Sequence, residues 1–493
     1  MKAKFTPRLV KIFLPAVISL LSACNLVKYQ PLTTINKIDT SKGYRLENNW
    51  EAHSNDTYIV LMFSGGGTRA AALGYGVLEE LNKQKVWIGG KESTLLDNID
   101  SVSGVSGGSV LAAYFSLYGK DAIPSFERRF LKQNFERQVT KQVFSFANLP
   151  RLTSNEYGRG DLLQEQFENT LFKKATFGDL EKHRKGPFAI ISATDMSLGQ
   201  RIDFTQERFD SMCLNLSDLR ISRAVAASSA VPLVFAPITL NNNGGNCGYT
   251  LPANLQEALA ATDNKSLQNQ TRREMARNFM RYADSKKRPF IHLIDGGLTD
   301  NLGLRGLLDR AETFSGNALY NRAIKEGRIK KIVIINVNAQ NQLDSRIDHS
   351  PAIPGLSDVL SAVVNIPIDQ YSQESLRRIR TLADQWNEVA RTRHDQDVGM
   401  YFISLNLLDL PDSPLRKSVL NIPTSFYLPH SDINNLKQAA HVLLQQSPEY
   451  ARLLKALTAK PTDNKQLWFI GEPDTENTEE AKEAASSPST ISP

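Results

Sequence analysis

A strand that runs straight into a serine flanked by glycines, and from there into a helix of small residues, commits a chain to alternating α/β layers. Here the strand-like run is Ile99-Asp100-Ser101-Val102-Ser103, the turn is Gly104-Val105-Ser106-Gly107-Gly108, and the helix opens with Ser109-Val110-Leu111-Ala112-Ala113. The glycines are needed because such a turn is strained and crowded, and a Cβ on either side of the serine would clash. The helix that follows points its N-terminal N–H groups and positive dipole end at the serine oxygen, which favours negative charge there. Ser106 is therefore the candidate nucleophile. Taken alone, the same pattern also describes a plain βα turn.

A second glycine turn lies upstream. The apolar run Tyr58-Ile59-Val60-Leu61-Met62-Phe63 enters Ser64-Gly65-Gly66-Gly67-Thr68-Arg69, and a helical pattern with Leu73, Val77, Leu78 and Leu81 on one side follows. Three glycines in a row expose consecutive backbone N–H groups, which can hold an anion. Two anions come into question: a phosphate, or the oxyanion of a tetrahedral acyl intermediate. The phosphate-loop pattern G-x-x-x-x-G-K-[ST] is absent, and Ala70 stands where a dinucleotide fingerprint would carry a third glycine. The oxyanion reading ranks first because a candidate nucleophile follows in the chain. Downstream, Phe290-Ile291-His292-Leu293-Ile294 ends in Asp295-Gly296-Gly297. An acid at the carboxyl end of an α/β strand lies where such sheets place their chemistry. A lone Asp-Gly-Gly also reads as a turn.

Together these pieces resemble the patatin-like phospholipase family. Its marks are a glycine-rich oxyanion loop with an arginine, a G-x-S-x-G elbow and a D-G-[GA] acid. They stand here as Gly65-Gly66-Gly67-Thr68-Arg69, Gly104 to Gly108 and Asp295-Gly296-Gly297. The stretch Ser222 to Pro237 is similar to the family's A-S-x-A-x-P-x-x-F-x-P segment, and Ser192-Ala193-Thr194-Asp195 ends a strand in the family's manner. The resemblance covers roughly Tyr58 to Val337. Ser64 departs from the pattern, where the family often has Asp, and so does Ala70 in place of a common Gly. The resemblance implies a three-layer α/β/α fold with a mostly parallel central sheet, and a Ser–Asp dyad. Ser106 would attack a lipid ester carbonyl, with Asp295 as general base. The Gly65, Gly66 and Gly67 amides, joined by the Gly107 N–H, would bind the oxyanion. Arg69 would anchor the loop. Substrates would be phospholipids, lysophospholipids or other acyl esters. Two alternatives share the same residues: acyl transfer to an alcohol, and a catalytically silent envelope scaffold that binds lipid.

A Ser–His–Asp triad needs a histidine late in the chain, after the acid. Of the seven histidines (His53, His183, His292, His349, His394, His430 and His441), only His349, His394, His430 and His441 follow Asp295. His441 sits in a helical run, and neither it nor His430 follows a convincing strand. His292 shares a strand with Asp295, but an offset of three puts the two on opposite faces. None is assigned a catalytic role.

The N-terminus carries a separate signal. Lys2, Lys4, Arg8 and Lys11 precede an apolar run from Ile12 to Leu21, and Leu21-Ser22-Ala23-Cys24 follows. This is the layout of a secretory signal peptide, and the run is shorter than the roughly 20 residues a spanning helix needs. The last four residues resemble the lipobox of bacterial lipoproteins. That implies cleavage before Cys24, acylation of Cys24 and a stable membrane anchor. With Asn25 next, enterobacteria-like sorting points to the outer membrane.

The net charge of +6 shrinks once this leader is set aside, leaving 54 basic against 52 acidic residues. The charge therefore does not argue for nucleic-acid binding, and no stripe of Arg and aromatics does either. Cys213 and Cys247 remain as a pair that can form a disulfide in an oxidising compartment. No Cys/His cluster has zinc spacing. No calcium loop is evident, so neither metal nor cofactor is expected.

Further apolar runs (Phe188 to Ser192, Ile332 to Val337, Met400 to Leu405) alternate with helical stretches, which argues for a parallel sheet. The expected layout is a leader (1–23), a tether (24–55) and a hydrolase domain (56–450). Residues 241–285 form an insertion, read as a lid or a surface decoration. A helical part begins near 355, and a disordered tail occupies 471–493. Phe126 to Val143 reads as one basic amphipathic helix, packed on the sheet rather than lying on lipid.

Overall fold

The computed structural model describes residues 27–261, 266–314, 329–341, 348, 351–392 and 398–458. The leader, Cys24, His349, His394 and the 471–493 tail therefore lie outside the described residues. The described residues form ten strands: β1 (Thr57–Phe63), β2 (Lys85–Ile88), β3 (Lys91–Thr94), β4 (Ser101–Val105), β5 (Phe188–Asp195), β6 (Gln200–Asp203), β7 (Ile238–Asn241), β8 (Phe290–Ile294), β9 (Lys331–Asn338) and β10 (Gly399–Asn406). Eight of them form one sheet in the order β10-β9-β1-β4-β5-β8-β7, with β6 beside β5, while β2 and β3 make a separate hairpin. From β10 through β5 every pairing is parallel; β6, β8 and β7 add antiparallel pairings.

Two apolar layers explain why β1 is buried at every position. Ile59, Leu61 and Phe63 face one core with Val333, Ile335, Ile403 and Leu405. That face is covered by α1 (Gly67–Lys83), α2 (Gly107–Tyr118), α3 (Ile221–Ser228) and α5 (His430–Gln446). Tyr58, Val60 and Met62 face the other core with Ile332, Ile334, Met400 and Phe402, under α4 (Leu356–Thr392). Alternation along each strand sends successive side chains to opposite faces, and helices on both faces keep a parallel sheet dry. This is the expected three-layer α/β/α arrangement.

Several expectations need correction. The strand expected at 99–103 lies at Ser101–Val105, so it runs directly into Ser106. Phe126 to Val143 is not one helix. A π-helical turn at Glu127–Leu131 and a break before the helix Phe135–Val143 interrupt it, and Phe126, Phe130, Leu131, Phe135 and Val139 are all buried in the core. The segment read as a tether, with some docking expected, touches the body at several points. The Tyr29 hydroxyl meets Asn241, Thr34 bridges to Leu214, Tyr44 stacks on Phe188, and Arg45 pairs with buried Asp210 at 2.8 Å.

The insertion is an excursion between the antiparallel strands β7 and β8, leaving them at the end far from Asp295. It is pinned to the body by the Cys213–Cys247 disulfide and by Tyr282 and Arg288, which both donate to Asp195. Among the described residues, no helix is long and apolar enough to cross a membrane.

Candidate active site

The register of the sheet sets the site. In the β4–β5 pairing Val105 lies level with Ser192, so the next residue, Ser106, comes level with Ala193. In the β5–β8 pairing Thr194 lies level with Ile294, so Asp295 also comes level with Ala193, from the other side of β5. Antiparallel β8 therefore brings the acid level with the elbow, across β5 from it. The Ser106 Oγ donates to Asp295 Oδ2 at 2.7 Å, and the Gly297 N–H holds Oδ1 at 2.8 Å. Both side chains are buried, at 4% and 7% exposure. Burial pushes the Asp295 carboxyl up to about 6, although the bonds from Ser106 and Gly297 pull the other way.

Ser106 itself has φ 50° and ψ −125°, a conformation few non-glycine residues adopt. The strain aims its side chain out of the turn as α2 begins at Gly107. Gly107 must lack a side chain, because a Cβ there would sit 2.0 Å from the Gly67 carbonyl oxygen. The elbow and the glycine loop are thus in direct backbone contact, and a Cβ placed on Gly65 would lie 3.4 Å from the Ser106 Cβ.

In the glycine loop, Gly66 takes φ 134°, which glycine alone tolerates well. The Gly65 N–H is not available to an oxyanion, because it donates to the Asn301 carbonyl at 2.9 Å. That removes Gly65 from the expected amide set. The amides of Gly66, Gly67 and Gly107 carry no hydrogen bond to described residues.

Ser64 holds the loop through its hydroxyl, which donates to the Gly65 carbonyl and accepts the Ala339 N–H. Arg69 is buried behind the loop, donating to the Ala339 carbonyl at 2.8 Å and the Ile422 carbonyl at 2.7 Å. Burial lowers its pKa to about 10, with the Asp369 charge opposing. The side chain reaches backbone behind the loop and lies nowhere near the serine in its hydrogen bonding.

Sequence reasoning missed Ser228, the last residue of α3. Its Oγ accepts the Ser106 N–H at 2.9 Å and donates to the Ser192 carbonyl at 2.7 Å. Its own carbonyl accepts the Gly296 N–H at 3.1 Å. One residue therefore ties the nucleophile, β5 and the acid's turn together. It lay inside the stretch singled out for resemblance, but its role depends on contacts 36 to 122 residues away. Asn301 was missed for the same reason.

The described histidines are elsewhere. His53 meets Asp100, His292 meets Thr239 and His441 meets Glu80. His183 and His430 close and open helices. No described histidine bonds Ser106 or Asp295. Among the described residues no group of three or more His, Cys, Asp or Glu could hold a metal ion. A groove lined by Asn387, Met400 and Arg452 runs along β10 at the sheet's edge and includes neither member of the pair.

No curated protein matches the chain. Among solved structures it is similar to human GIVD cytosolic phospholipase A2, with a TM-score of 0.44 and 12% identity over 89% of this chain and 64% of that one. It is also similar to VipD from Legionella pneumophila, with a TM-score of 0.26 and 12% identity over 85% and 70%. The chain thus spans less than two thirds of the human protein. A family description of patatin-like phospholipases matches residues 61–308, the span that runs from β1 through the elbow to the acid. The chain belongs to the patatin-like phospholipase family.

Proposed function

We propose that the chain is a lipid acyl hydrolase of the phospholipase A or lysophospholipase type, working through Ser106 and Asp295. The observation that carries this reading is the 2.7 Å bond from the Ser106 Oγ to a buried carboxylate, made at a strained elbow beside unoccupied backbone amides. The Ser106 Oγ attacks the ester carbonyl carbon while its proton passes to Asp295 Oδ2. The Gly66, Gly67 and Gly107 amides receive the oxyanion as it forms. Collapse expels the alcohol, which takes the proton from Asp295, and an acyl-Ser106 ester remains. Water, deprotonated by the same carboxylate, then releases the fatty acid and restores the serine. A carboxyl near pKa 6 is ionised at neutral pH yet basic enough to accept a proton.

We further propose that Cys24 is acylated and that the chain works on the envelope of a bacterium, with the outer membrane as its site. The lipobox-like Leu21-Ser22-Ala23-Cys24 supports the acylation, Asn25 after it the outer membrane, and the Cys213–Cys247 disulfide an oxidising compartment. The test is a fluorophosphonate probe, which reacts only with an activated serine. Labelling is expected on the peptide containing Ser106 and to vanish in Asp295→Asn. A folded chain that the probe leaves unlabelled would favour a lipid-binding scaffold.

A further inference from the structure

Helix α4 is two different objects joined end to end. Its C-terminal half supplies Leu376, Ile379 and Trp386 to the core. Its N-terminal half supplies nothing: from Leu356 to Tyr371 no described side chain is buried. Yet this half is the more apolar. Between Pro351 and Ile368 the only charged residue is Asp358. Leu356 is 76% exposed, Val359 47%, Val363 64% and Ile366 49%. At 100° per residue these four share one side of the helix, and Leu360 and Val364 widen it to an apolar arc of about 160°. Ser361, Asn365 and Asp358 lie opposite.

We propose that this arm, residues 356–366, seats the chain on a lipid bilayer with its apolar arc in the acyl boundary. The proposal rests on the lipid-hydrolase reading of the site, since it names the surface from which that site draws substrate. Three observations favour a bilayer over a second copy of the chain. A paired helix–helix seam uses an apolar stripe narrower than about 100°, and this arc spans about 160°. The arm carries no cation and one anion, so neither headgroup charge nor a charged protein face is what it matches. The arm is also rooted at the site: Asp369, three residues beyond it, hydrogen-bonds Gln340 and interacts with Arg69, which holds the glycine loop. From Asp369 to Leu356 is about 20 Å of helix, a reach suited to an interface near the loop. The arm does not span, because no described helix is long and apolar enough to cross. It lies in the plane instead.

Single thiols at Val363→Cys and at Ser361→Cys, in the full chain with Cys24→Ser, would carry a polarity-sensitive fluorophore. The native Cys213 and Cys247 are bonded to each other and do not compete. With phosphatidylcholine vesicles the label at 363 should shift to the blue, and acyl-brominated lipid should quench it at least twofold. The label at 361 should change little. Neither response should depend on salt or on added anionic lipid. A shift at 363 without vesicles that grows with protein concentration would assign the face to a second copy, and no quenching at 363 would remove the arm from the bilayer. Val359→Asp with Val363→Asp should cut hydrolysis of vesicle phospholipid at least tenfold and leave a short soluble ester unaffected; an equal loss on both would overturn the docking role. If the wild-type chain cleaves neither substrate, the hydrolase reading fails, while the labels still decide the docking.

Discussion

Replacing Asp295 with Asn should abolish activity and at the same time stabilise the fold. The buried carboxyl has its proton affinity raised from the ordinary 3.8 to about 6. At about 1.4 kcal/mol per tenfold, keeping that group ionised in the folded state at pH 8 costs about 3 kcal/mol. Asn mimics the protonated acid in shape and can keep the Gly297 contact, so the variant escapes the cost. The sign follows from linkage. A raised carboxyl binds its proton more tightly in the folded state, so this part of the stability is fully present below about 3.8 and is lost as pH rises through about 6. The advantage of Asp295→Asn should therefore be about 3 kcal/mol near pH 8 and shrink to about 1 kcal/mol near pH 4.5. Urea unfolding of both proteins at the two pH values measures it. A variant less stable than wild type at pH 8, or an advantage that does not shrink in acid, would refute the burial argument. The same carboxyl predicts that kcat/KM of the wild type falls tenfold per pH unit below about 6.

Three further outcomes follow from the contacts. Ser228→Ala leaves the Ser106 N–H and the Ser192 carbonyl without their partner, so kcat should fall at least about tenfold with KM little changed, read on a soluble ester. Gly107→Ala drives a Cβ to within 2.0 Å of the Gly67 carbonyl, so fluorophosphonate labelling should be lost even where circular dichroism shows a folded chain. Removing the Cys213–Cys247 link, with both changed to Ser, opens a 34-residue separation worth about 3–4 kcal/mol in chain entropy; it should lower the urea midpoint while Ser106 still labels in buffer.

What could be read in advance was what lies within a few residues of chain. The elbow at Ser106, the loop at Gly65 to Gly67 and the acid at Asp295 are each a strand followed by glycines, and strand, turn and helix are set by neighbours. What could not be read depends on distant pairing. The direction of β8 is settled by its partners β5 and β7, and nothing in Phe290 to Ile294 says antiparallel. β6 and β7 are four residues each, too short for a periodicity to show. Ser228 and Asn301 acquire their roles only when α3 and the turn after β8 meet the elbow and the loop. The same holds for the Gly65 amide, whose local setting is that of an oxyanion donor until Asn301 claims it. The break after Leu131 was hidden because the apolar spacing continues through it, carried by Phe135 and Val139 on the next helix.

The most direct test of the central claim is fatty-acid release from phospholipid and lysophospholipid vesicles by the purified full chain, followed by mass spectrometry beside Ser106→Ala. The account predicts free fatty acid from the wild type and none above background from the variant. Equal release by both, or none from a folded wild-type chain, would contradict it.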